Sequence, residues 1–133
     1  MAIKEESVTD QKNSLTVCLD NILRHAGITR NTEYDLAQGK TAIQILEENM
    51  TGVQVLDLSG CSLDAVLYYV NQDIPVLAIL EDGEAVLVTG FNEFNVVIME
   101  PSTGKLYKKG MNDATAWFAE NGNHFITYMR TEN

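Results

Sequence analysis

Along the first part of the chain, apolar residues recur at three- and four-residue steps, the signature of an amphipathic helix. From Gln11 to Ala26 the stripe holds Leu15, Val17, Cys18, Leu19, Ile22, Leu23 and Ala26. Asp10 or Asn13 is placed to cap its start, and Gly27 stands where a left-handed C-terminal residue is wanted. Thr32 is placed to cap a short turn through Leu36, and Thr41 to open a second helix carrying Ala42, Ile43, Ile45 and Leu46. A third helix is expected after Ser62, with Leu63, Val66, Leu67 and Val70 on one face.

Short apolar runs then take over. Val53 to Leu58 is rich in β-branched residues and reads as a strand, broken by Ser59-Gly60. Pro75 to Leu80 is almost unbroken, so both of its faces are expected to be covered. Glu81-Asp82-Gly83 carries the Asp-Gly signature of a tight hairpin into a strand over Ala85 to Phe91. Asn95 to Met99 returns, Pro101 to Gly104 turns, and Leu106-Tyr107 is a short strand. Asn112 is the expected cap of a helix bearing Ala116, Trp117 and Phe118, which Asn121-Gly122 stops before a last strand from His124 to Arg130. Helices first and consecutive strands later give an α+β domain with a mostly antiparallel sheet. The pattern holds no repeat or linker, so residues 1–133 read as one domain with a flexible tail at 1–10.

Composition fits this reading. The chain is 45% hydrophobic and 21% charged, an ordinary globular balance. At 133 residues it buries roughly two-thirds of its unfolded surface, enough for a core that needs no metal. The formal charge of −10 repels phosphate backbones and anionic headgroups, which argues against nucleic acid as the partner. Lys105, Lys108 and Lys109 read as a solvated strand edge that discourages strand addition. No stretch approaches the ~20 apolar residues of a membrane span. Cys18 and Cys61 fit no metal spacing, and read either as buried thiols or as one disulfide.

Four phrases give the chain a resemblance. They are Ile22 to Ile28 at the end of the first helix, Asn71 to Leu77, Glu84 to Phe91, and Val96 to Gly104. In this order they resemble the C39 family of papain-like cysteine peptidases, whose members include the processing domains of bacterial peptide exporters. The late Trp117-Phe118 helix and the final strand fit the same order. The resemblance spans Leu15 to Arg130. It implies a papain-like domain with N-terminal helices packed on the sheet. It places the nucleophile at Ser14, the catalytic histidine at Glu84, and the orienting aspartate at Glu100 before Pro101.

Those three side chains do not carry the family's chemistry. A Cys–His hydrolase needs a thiolate at a helix N-terminus and an imidazole within reach. A glutamate, ionised near pH 4, is a poor base for a serine hydroxyl. Two neighbouring carboxylates repel each other rather than activate it. The fallback nucleophiles are Cys18, one turn deeper in the first helix, and Cys61 ahead of the Ser62 helix, each paired with His124. His25 falls at the end of the first helix, where a positive ring suits the dipole.

The leading expectation is therefore a C39-peptidase-like domain that keeps the fold without the cleavage chemistry. The resemblance implies a docking or regulatory module of a bacterial transporter or secreted protein. Its groove would take a peptide or unfolded segment, basic or polar given the chain's acidity. One alternative is an active cysteine hydrolase using Cys18 or Cys61 with His124. Another is a structural or assembly domain that pairs through a sheet edge or apolar face.

Overall fold

The computed structural model describes residues 13–131. The expected tail at 1–10, and Asp10 as a cap, lie outside the described residues. Helix α1 spans Ser14–His25 and begins where the Asn13 side chain accepts the Thr16 N–H at 2.9 Å. It ends in a left-handed turn at Gly27, φ 87°, with Gly27 N–H on the Arg24 carbonyl and Ile28 N–H on that of Leu23. Those two bonds satisfy carbonyls that the helix itself leaves open.

Helix α2 (Glu33–Ala37) does not use Thr32 as a side-chain cap. The Thr32 backbone N–H instead donates to the buried Asp20 carboxylate at 2.8 Å, tying the loop to α1. Helix α3 (Ala42–Asn49) starts with the reciprocal pair that Thr41 promises. Its hydroxyl accepts the Gln44 N–H, and the Gln44 side chain accepts the Thr41 N–H.

Strand β1 is Val53–Asp57, and helix α4, Leu63–Val70, is capped by Ser62. Strands β2 (Val76–Ile79), β3 (Ala85–Phe91), β4 (Asn95–Glu100) and β5 (Lys105–Gly110) follow as a meander. Helix α5 (Met111–Glu120) and strand β6 (His124–Arg130) close the described chain. The six strands form one sheet in the order β1-β6-β2-β3-β4-β5, and every pairing is antiparallel. β6 returns to the middle, between β1 and β2, so the last strand locks the earlier ones together.

One of two local expectations holds and the other does not. The β2–β3 turn is the expected tight hairpin over Glu81-Asp82-Gly83, with Gly83 at positive φ. Leu80 N–H bonds Glu84 O, and Gly83 N–H bonds Leu80 O, so three residues make the loop. Helix α5 starts at Met111 with Gly110 at its cap, not at Asn112. The Met111 N–H donates to the Phe94 carbonyl at 2.7 Å, so the β3–β4 loop supplies what a capping side chain would have supplied.

The sheet is buried on both sides, as the unbroken β2 run requires. On one face Cys18, Leu19, Ile22 and Leu23 of α1 and Ile45 and Leu46 of α3 pack over Leu77, Leu87, Met99 and Ile126. On the other, Leu63, Val66 and Val70 of α4 and Ala114 and Phe118 of α5 pack over Val76, Val86, Val88, Ile98 and Phe125. The architecture is a mixed one, helices on an antiparallel six-stranded sheet. Among the described residues no helix is long and apolar enough to cross a membrane.

Candidate functional site

Ser14 is the first residue of α1, and Glu84 immediately precedes β3. They are 70 positions apart in sequence and meet directly. The Ser14 hydroxyl donates to Glu84 Oε1 at 2.7 Å. The same Oγ accepts the Ala85 N–H at 2.8 Å. Its proton is thus held by a carboxylate, and its oxygen is occupied by a backbone donor from the strand. The first turn of α1 carries no acidic side chain of its own. Glu84 supplies the negative charge that a helix N-terminus favours.

The Ser14 hydroxyl therefore ties α1 to the start of β3. Ser14→Ala would leave the N–H of the buried Ala85 without its acceptor and Glu84 without its donor. A loss of about 1–2 kcal/mol is expected, and Glu84→Gln, which keeps an acceptor in place, should lose less. Urea melts of the two variants check the order.

Glu100 lies at the end of β4, directly after the Leu87–Met99 pair that joins β4 to β3. Its carboxylate accepts the Ser102 N–H at 2.9 Å, and its carbonyl accepts the Gly104 N–H at 2.8 Å, closing the turn at Pro101. No hydrogen bond joins it to Ser14 or Glu84 among the described residues. Its charge is felt instead by Cys18, one turn below Ser14. Burial, and then Glu100, push the Cys18 thiol up to about 12.

No hydrogen bond joins the fallback pair, Cys18 and His124, among the described residues. Cys18 is fully buried in the core beneath α1. His124 is exposed at the start of β6, opposite Ile79. Its charge acts on Asp57, whose pKa is lowered first by the Ser59 hydroxyl at 2.6 Å and then by the Ser59 N–H. Cys61 packs against the opposite face of the sheet from Cys18, so both are free thiols and the disulfide alternative is set aside. The loop holding Cys61 does approach His124's strand, through the Gly60 N–H on the Asn123 carbonyl at 2.8 Å. His25 meets Asp73 across the sheet end, Nε2 to the Asp73 carbonyl at 3.0 Å, a contact with no trace in the sequence pattern.

Two further features lie along the same sheet. The end of the sheet where β2 finishes and β3 begins also carries Asp57, Glu81, Asp82, Glu84 and Glu100, with Lys105 of β5 and His124 of β6 at the same end. A groove of about 360 Å³ runs beside the second half of α1 over Leu87, Met99 and Leu106. It reaches from His25 and Asp73 to Gly104, next to the turn that Glu100 closes. Among the described residues no cluster of three His, Cys, Asp or Glu side chains is placed to hold a metal ion.

This arrangement of helix, sheet and connections has a counterpart among solved structures. It superposes on the crystal structure of a "putative C39-like peptidase" from Bacillus anthracis with a TM-score of 0.76. The fold is C39-peptidase-like. The match covers 92% of this chain and 91% of that one, at 15% sequence identity. So wide a match at so low an identity is a likeness of fold. No protein-family model and no curated protein matches the sequence.

Proposed function

We propose that this is a C39-peptidase-like domain that binds a basic peptide or unfolded segment and leaves it uncut. The observation that carries this reading is the doubly bonded Ser14 hydroxyl. It stands at the helix head, where the resemblance places the nucleophile, with a carboxylate where the resemblance places the imidazole. A hydroxyl that donates its proton in a hydrogen bond to an exposed carboxylate gains little activation, because that carboxylate is far too weak a base. The thiol nearest this position is pinned in its protonated form by burial.

The groove and the acidic sheet end support the binding half. An extended segment lying along α1 places apolar side chains on Leu87, Met99 and Leu106. Basic side chains at one end then meet Glu100 and Glu84, and at the other Asp73. The resemblance suits such a module to a larger bacterial transporter or secreted protein.

The test is a double substitution that removes charge and preserves shape. Glu84→Gln with Glu100→Gln is expected to weaken binding of a Lys/Arg-rich peptide about tenfold, with a smaller salt dependence, because two favourable charge contacts are lost. Fluorescence anisotropy at two ionic strengths reads both. Unchanged affinity would remove this cleft as the site.

A further inference from the structure

The two edges of the sheet are built differently. β5, at one edge, carries Lys105, Lys108 and Lys109 along six residues. Such charges guard an edge against a further strand. β1, at the other, reads Val53-Gln54-Val55-Leu56-Asp57 and has neither lysine nor proline.

The hydrogen-bond parity of β1 follows from its flanks. Leu58 N–H bonds Phe125 O, and Thr131 N–H bonds Gly52 O. In an antiparallel ladder bonded and non-bonded pairs alternate. The even positions, Gln54 and Leu56, therefore turn their backbone groups inward to β6. Val53, Val55 and Asp57 turn theirs outward, and no hydrogen bond engages those groups among the described residues.

We infer that the free edge of β1 pairs antiparallel with β1 of a second copy, about a two-fold axis through Val55. The register is self-complementary. Val55 meets the partner's Val55, Val53 meets the partner's Asp57, and the outward groups complete about six hydrogen bonds. Charge fits as well. Arg130 sits opposite Val53 on β6, on the same face. The partner's Asp57 arrives on the far side of Val53, about 10 Å away across two strand spacings, within reach of an extended arginine. On the other face the half-buried Leu56 meets the partner's Gln54, beside Met129, which is 40% exposed. The pairing closes at two copies, because among the described residues the other sheet edge is the lysine-bearing β5 and an isologous contact does not propagate.

Sedimentation equilibrium of the full chain, from about 10 µM to about 1 mM, spans the range where small interfaces associate. A monomer–dimer equilibrium is expected. Val55→Pro removes an N–H that the fold does not use, and proline is tolerated on an edge strand. It should fold normally, as circular dichroism will show, and weaken dimerisation by at least about tenfold, since both central hydrogen bonds are lost. Asp57→Arg should do the same, and Asp57→Arg with Arg130→Asp should restore the dimer. A chain that stays monomeric at about 1 mM overturns the inference and leaves the edge to an extended segment of a different polypeptide. A dimer indifferent to Val55→Pro overturns it too.

Discussion

Alkylation of the folded protein at pH 8 is expected to leave Cys18 untouched while Cys61 reacts. The Cys18 thiol, moved by burial and Glu100 from 9.0 to about 12, holds about a thousandfold less thiolate than an ordinary cysteine at this pH. Enclosure in the core excludes the reagent as well. The same shift has a consequence for stability. Below pH 9 the thiol is protonated in both folded and unfolded chains and contributes nothing to the pH dependence. Between 9 and about 12 the unfolded chain gives up the proton and the folded chain keeps it, so stability falls as pH rises. The loss approaches roughly 4 kcal/mol at the upper limit, from about 1.4 kcal/mol per pH unit. Tyr107 and Tyr128, both raised mainly by burial, add to the trend. Cys18→Ala isolates the thiol's share. Its melting temperature should start lower at pH 8, because a cavity is left, and then decline less steeply than wild type. Equal slopes would show that Cys18 ionises freely in the folded chain. Rapid labelling of Cys18, abolished by His124→Ala, would revive the cysteine-hydrolase alternative.

The second large effect is a gain. Ser14→Cys combined with Glu84→His places a thiol at the head of α1 with an imidazole in the carboxylate's position. The helix dipole and a protonated ring both favour thiolate, whereas a carboxylate opposes it. Relative to Ser14→Cys alone, the double variant should react with iodoacetamide about a hundredfold faster at pH 6, the result of about two pKa units between the neighbours. Cys18 serves as the slow internal reference. Equal rates in the two variants would mean that positions 14 and 84 are not related as nucleophile and base, whatever the fold.

Much of this was legible in the sequence, for reasons that differ by element. The α1 stripe, the Asn13 cap and Gly27 are local features, and each appears in the structure because local geometry alone demands it. The unbroken β2 run announced a strand covered on both faces. Asn112 was misleading because the α5 N-terminus is satisfied by a distant carbonyl, that of Phe94, which no local pattern records. Glu81-Asp82-Gly83 was legible because Gly83 supplies the positive φ that the turn needs.

The site divides in the same way. The resemblance put Ser14 and Glu84 at corresponding positions, and the fold brings them within hydrogen-bond distance. The Ala85 N–H on Ser14 was invisible, since a backbone donor leaves no mark on residue identity. So was the diversion of Glu100 into its own turn. The free parity of β1 depends on where β6 inserts, which only the sheet order reveals.

We propose that the Ser14–Glu84 pair belongs to a domain that binds a peptide without cutting it. The most direct test of this proposal is mass spectrometry of a Lys/Arg-rich peptide recovered from its complex with the wild-type chain after prolonged incubation. One intact mass is expected, with less peptide recovered from the Glu84→Gln, Glu100→Gln variant. Fragments that disappear when Ser14 or Cys18 is replaced by alanine would contradict it.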